Sequence, residues 1–180
     1  MAPKVRNGGS HHPGLAAPPH RNIHPDNIII NKGINGDTTK GVINRLNEVI
    51  YLKPNKIFIM IGINDIAIGF NENEITSNLK SIIDSINQQI PNCKIYLQSV
   101  LPVAYSYKLN VNPRIYSLNE KYMQVANENS IKYIDLIPHY VSEGNIYLNN
   151  EFCLDDGLHL SYKGYEIWRD ILQPFININN

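Results

Sequence analysis

The stretch "KIFIMIGIND", residues 56–65, decides how the rest of this chain is read. Five of its first six residues are apolar, in one unbroken run from Ile57 to Ile61. A strand with one wet face alternates apolar and polar residues. Continuous hydrophobicity over this length predicts a strand covered on both faces, as in a parallel sheet. The run stops at Gly62 and delivers an amide, Asn64, and a carboxylate, Asp65, just past its carboxyl end.

Working outward, the same signature recurs. "NIIIN" (27–31) is a second short run rich in β-branched residues, and "KIYLQSVLP" (94–102) and "IKYIDL" (131–136) repeat it more loosely. Helical spacing separates them: Val42, Ile43, Leu46, Val49 and Ile50; then Ile75, Leu79, Ile82, Ile83 and Ile86; then Ile115, Leu118, Tyr122 and Val125. A last helix carries Tyr165, Trp168, Ile171 and Leu172. Pro54 and Pro91 fall just beyond two of the predicted helix ends, where the missing N–H and fixed ring block continuation. Strands alternating with helices predict a three-layer α/β/α sandwich with a mostly parallel, flavodoxin-like sheet.

Composition suits one globular domain and excludes several classes. The chain has 180 residues, of which 43% are hydrophobic and 18% charged, enough apolar material for a sizeable core. Lys plus Arg and Asp plus Glu each number 16, so no basic footprint calls for nucleic acid or an anionic membrane. No apolar run reaches the roughly 20 residues of a membrane span. No secretion signal is visible, and the reading is a soluble protein, with secretion open if a natural start has been lost. Two cysteines, Cys93 and Cys153, make no disulfide framework and no zinc cluster.

Residues 1–22 stand apart. Five of the 11 prolines and four of the 6 histidines lie in residues 1–25, and beyond Ile23 the chain turns rich in Ile, Asn, Lys and Tyr. The shift predicts a leader of different origin, tag-like or disordered, followed by a single domain over 23–180. The histidines of that leader fit a tag better than a metal site.

Three stretches can carry chemistry at the sheet's carboxyl edge, where open α/β folds gather function. In "NKGINGDTT" (31–39), Gly33 and Gly36 permit a tight turn, and Asp37 or Thr38 can cap the following helix. In "GIND" (62–65), Asn64 has two N–H donors suited to a developing oxyanion, while Asp65 is open as an acid, a helix cap or a partner for the loop. In "LDDGLHLSYKGYEIW" (154–168), Asp156 can reach one ring nitrogen of His159 and leave the other to act as a base, with Ser161 capping the next helix. Ser99 and Ser161 lack a nucleophile-elbow context. His139, with no partner close in sequence, is expected to be a partly buried structural residue. Tyr105, Tyr107, Tyr116 and Tyr122 can line a pocket or simply pack.

Taken together and in this order, "NKGINGDTT", "GIND" and "DGLH" resemble the second, third and fifth blocks of the SGNH hydrolases, the GDSL lipase/esterase family. The similarity covers about residues 27–172. It implies a five-stranded parallel sheet and hydrolysis of an ester, commonly an acyl or acetyl group on a lipid or sugar. It further implies His159 as general base, Asp156 as its orienting carboxylate, and Gly36 and Asn64 as oxyanion donors. No metal or organic cofactor is implied, and the partner is a small-molecule ester, an acylated sugar or a lipid. The chain departs from the family at the first block, Gly-Asp-Ser. The one serine ahead of residue 31 is Ser10, in "NGGS", with Gly9 in place of the aspartate. "MAPKVRN" does not read as a buried strand. The expectation is therefore a serine-type esterase whose nucleophile is Ser10 or is missing, with little hydrolysis if the start is as written. The alternatives are a non-catalytic SGNH-like module that binds acylated glycans, lipids or a protein, and an unrelated flavodoxin-like binding domain.

Overall fold

The structure is a computed structural model that describes residues 21–24 and 27–177, with side chains from Ile28 onward. The described residues fall into two compact units, divided between Lys32 and Gly33. The first is a hairpin of β1 (Arg21–His24) and β2 (Asn27–Ile30), paired antiparallel. The second runs α1 (Thr39–Tyr51), β3 (Lys56–Ile59), α2 (Ile63–Ala67), α3 (Glu72–Gln89), β4 (Lys94–Gln98), α4 (Asn112–Glu128), β5 (Lys132–Ile134), α5 (Ile137–Tyr140), a 3₁₀ turn at Asn150–Phe152 and α6 (Tyr162–Asn177).

The body is a three-layer α/β/α sandwich built on a parallel sheet of order β3-β4-β5. Because side chains alternate across a strand, each strand feeds both layers. Ile57, Ile59, Ile95 and Leu97 join one core with Leu46 of α1, Ile75 to Ile86 of α3 and Ile115 to Val125 of α4. Phe58, Tyr96 and Ile134 point the other way, into a second core with Tyr140 of α5 and Ile167, Trp168, Ile171, Leu172 and Phe175 of α6. Phe58 and Tyr96 are register partners and stack with ring centroids 4.6 Å apart. Trp168 donates its indole N–H to the buried Gln98 carbonyl at 2.6 Å, satisfying the polar end of the central strand.

The helical stripes read from spacing in α3 and α4 are all buried, in α3 as the whole buried face and in α4 alongside Asn112, Asn119 and Ala126. Burying five Ile and Leu side chains of α3 contributes on the order of 10 kcal/mol before chain entropy is counted. Asn71 caps α3 by accepting from the Glu74 N–H at 2.9 Å, and Pro91 follows its last turn. Cys93 and Cys153 are both buried and both free, and burial pushes the Cys93 thiol up to about 11.

One strand behaves differently from its sequence signature. "NIIIN" reads as a parallel strand covered on both faces, yet Asn27–Ile30 pairs antiparallel with Arg21–His24, and Ile28 is 65% exposed. The two segments lie two residues apart in sequence, so closing them costs little entropy, whereas a parallel partner needs a long crossover. Among the described residues the parallel sheet thus has three strands rather than five. None of the described helices is long and apolar enough to cross a membrane.

Gly62 closes β3 at a crowded point. Its φ is +123°, and a Cβ there would lie 2.9 Å from Leu118 Cδ2 and 3.0 Å from Tyr122 Oη. Tyr122 is held in place by donating to Ile61 O at 3.1 Å, so it cannot swing aside freely. Gly62→Ala should lower stability by about 2–4 kcal/mol, combining left-handed strain with overpacking. Urea unfolding monitored by circular dichroism measures this, and a loss below about 1 kcal/mol would contradict the contact.

Candidate active site

The candidate residues form two separate contacts. The first pair joins the loop before α1 to the turn after β3. Thr38 caps α1 by accepting from the Gly41 N–H at 3.2 Å, and Asp37 accepts from Thr38 N at 2.9 Å and from Arg45 Nε at 2.9 Å. Gly36, one residue earlier, has φ +76° and is exposed. Asn64 reaches across from α2 and donates Nδ2–H to Asp37 O at 2.8 Å. A side-chain amide carries two N–H groups, so one is spent on this contact and one is left.

Asp65, the next residue, is fully buried. It accepts from Thr39 N at 3.0 and 3.1 Å and from Thr39 Oγ1 at 2.5 Å. The structure thus bonds Asp65 to the first residue of α1 and not to the loop ahead of it. Its charge lies against the positive end of that helix dipole.

The second pair is Asp156 and His159. Nδ1 of His159 lies 2.7 Å from Asp156 Oδ2, while Asp156 Oδ1 accepts from Leu158 N and His159 N, both at 2.9 Å. These bonds, the histidine contact foremost, hold the Asp156 carboxyl down to about 2. The pair is open to solvent, the two side chains being 47% and 53% exposed. Leu154 N donates to His159 O at 2.8 Å, and Gly157 N to Leu154 O at 2.9 Å, so the loop closes on itself. Ser161 then caps α6 by accepting from Gly164 N at 3.2 Å.

What seats this loop is the segment after β4. Ala104 N donates to Gly157 O at 2.8 Å, and a Cβ on Gly157 would lie 2.8 Å from Ser106 Oγ. Between the two segments is a cavity of about 420 Å³ lined by Ser106, Tyr107, Lys108, Leu109, Asp155 and Asp156. The segment is itself fastened by two buried asparagines of α4. Asn119 accepts from Val100 N and donates to Val100 O, each at 2.8 Å. Asn112 does the same for Val103 at 2.8 and 2.9 Å and donates also to Ile146 O at 3.0 Å. Seven residues apart, the two amides line one helix face and act on the loop as a neighbouring strand would. Their sequence signal is the presence of asparagine within an otherwise apolar stripe.

Other residues singled out from the sequence play other parts. Ser10 lies outside the described residues, as do His11, His12 and His20. Ser99 is buried, with its hydroxyl accepting from Leu136 N at 2.9 Å. His139 is exposed rather than partly buried, because α5 turns Tyr140 inward in its stead. Tyr122 is core, Tyr105 is exposed, and Tyr107 borders the cavity. No group of three or more His, Cys, Asp or Glu side chains among the described residues could hold a metal ion.

Known proteins share this arrangement of chain. The chain is 29% identical over 147 residues to human platelet-activating factor acetylhydrolase IB subunit alpha1, covering 76% of this chain and 58% of that one. It is 29% identical over 135 residues to an arylesterase of Vibrio mimicus, covering 74% and 62% respectively. The chain thus spans roughly three fifths of the length of these relatives. A GDSL-like lipase from Bacteroides thetaiotaomicron superposes with a TM-score of 0.73 at 28% identity, over 81% of this chain and 73% of its own. The family match itself runs through both residue pairs, from residue 6 to residue 167: the chain belongs to the GDSL-like Lipase/Acylhydrolase family.

Proposed function

We propose that this chain hydrolyses carboxylic esters by a serine mechanism, with a short acyl group on a small alcohol, sugar or lipid as substrate. The observation that carries the reading is the 2.7 Å contact between Asp156 and His159 in a solvent-open loop. A histidine so held has a fixed tautomer, and its other nitrogen is left to take and return a proton. The names of the relatives, an acetylhydrolase and an arylesterase, support the ester bond and the short acyl group.

The nucleophile in this proposal is a serine hydroxyl, for which Ser10 is the one candidate that the sequence offers ahead of residue 31. Its Oγ attacks the ester carbonyl carbon as His159 Nε2 accepts the hydroxyl proton. Asp156 stabilises the resulting imidazolium without itself taking the proton. The Gly36 N–H and the remaining Asn64 N–H hold the tetrahedral oxyanion. The imidazolium then protonates the departing alkoxide, and the alcohol leaves an acyl-serine behind. Water, deprotonated by His159, attacks that ester and releases the acid. Each step is complete without a metal or organic cofactor. The cavity beside Asp156, walled by Tyr107 and Leu109, is the place proposed for the substrate's apolar part.

A short-chain nitrophenyl ester tests the reading. His159→Ala and Ser10→Ala should each lower kcat by at least about 10³-fold, and Asp156→Asn by about 10²–10⁴-fold. A fluorophosphonate probe should label Ser10, as read by mass spectrometry. Turnover that survives Ser10→Ala would move the nucleophile elsewhere. A folded chain with no turnover and no label would favour a module that binds acylated glycans, lipids or a protein.

Acid gives an independent check on the pair. The Asp156 carboxyl titrates near 3.8 when free of these bonds and near 2 with them. A depressed carboxylate stabilises the fold above the free value, and that contribution is lost as pH falls toward the folded one. The difference in melting temperature between wild type and Asp156→Asn should therefore be constant at neutral pH and close between 3.8 and about 2. A difference that stays unchanged from neutral pH down to about 2 would show that the contact is not made in solution.

A further inference from the structure

Asp65 is a fully buried carboxylate that the proposed reaction does not use. A buried charge is costly unless it is well bonded, and this one is bonded in a directed way. Asn78 of α3 donates to Thr39 Oγ1 at 2.9 Å, and Thr39 Oγ1 in turn donates to Asp65 Oδ1 at 2.5 Å. The hydroxyl has one proton, and accepting from Asn78 leaves that proton for the carboxylate. An O–H to carboxylate contact of this length is of the strong, charge-assisted kind. Three helices are thereby tied through a single hydroxyl: α3 through Asn78, α1 through Thr39 and α2 through Asp65.

The placement of the tie matters. Asn64 and Asp65 are adjacent on α2, and they grip Asp37 and Thr39 respectively. Gly36 is the residue just before this grip. The separation between the Gly36 N–H and the remaining Asn64 N–H is thus set by two fastenings, of which the Asp65–Thr39 pair is the buried and charged one. Resting on the ester-hydrolase reading, we propose that Asp65 is a positioning residue, acting through Thr39 to hold the Gly36 loop and the Asn64 amide at the spacing an oxyanion requires. Misplacement of such groups by about 1 Å can cost about 10²-fold in rate, because the donors then miss the charge that develops.

Asp65→Asn keeps the shape and removes the charge, and it sets an amide against the two Thr39 donors. Thr39→Val keeps the backbone N–H, removes the hydroxyl and strands the Asn78 amide. Both should lower kcat on a nitrophenyl ester by about 10–100-fold with KM changed less than about 2-fold. Thr39→Ser should restore kcat to within about 3-fold, and Asp65→Asn combined with Thr39→Val should be little worse than Asp65→Asn alone. Amide hydrogen exchange on the full chain gives a readout that needs no turnover. In Asp65→Asn and Thr39→Val, residues 33–41 should exchange faster, while β4 and α4 stay as protected as in wild type. A lower melting temperature with unchanged kcat, or faster exchange throughout the body, would reduce Asp65 to a general structural residue and overturn the proposal. If the wild type hydrolyses no ester, the hydrolase reading fails on its own. The positional role of Asp65 then stands or falls on whether exchange rises in residues 33–41 alone.

Discussion

A carboxylate removed from water must be compensated where it lies, and in this protein that requirement falls on Asp65. The compensation comes from the first residue of α1, through both its N–H and its hydroxyl. The start of α1, the turn after β3 and the flank of α3 are therefore not independent choices. Moving any one of them leaves a buried charge or a buried donor unanswered, at a cost of several kcal/mol. The hydrophobic layers determine that the helices cover the sheet. The Asp65 cluster determines how far along the sheet α1 begins, and with it where the loop ahead of α1 lies.

The second carboxylate of interest has the opposite setting. Asp156 is about half exposed and is satisfied by two N–H groups of its own loop and by His159. Nothing distant needs to move for this pair to form, because the contact is three residues long. One carboxylate thus fixes the registration between elements, and the other closes a local contact with a histidine at the surface. Burial distinguishes them, since both are aspartates in short motifs and both bond to neighbouring N–H groups.

What could be read from the sequence follows the same division. The buried face of α3 and the apolar stripe of α4 were legible because those residues recur at helical spacing. The Asp156–His159 pair was legible because it is local. Membership of the parallel sheet was less so for Asn27–Ile30, since an apolar run shows that a strand wants partners and does not say which; the nearer one, Arg21–His24, takes it. Asn112 and Asn119 stood out only as asparagines in an apolar stripe, and their partners were not legible, because these depend on a loop brought alongside by the fold. The role of Asp65 was left open as acid, helix cap or loop partner, and only the 26-residue contact with Thr39 shows it bonded to the first residue of α1. His139 went the other way, its exposure being set by which side of a single helical turn meets Leu136 and Tyr140.

The two free thiols have a practical consequence. Cys93 and Cys153 are the chain's entire complement of cysteine, and both are buried with their thiols pushed toward the protonated, unreactive form. The native protein is therefore chemically quiet toward maleimides and similar probes. A single cysteine installed on the exposed loop ahead of α1, at Ile34 or Asn35, would be the sole fast-reacting group in the molecule. A spectroscopic label placed there would report on that loop without first stripping the protein of its own sulfur.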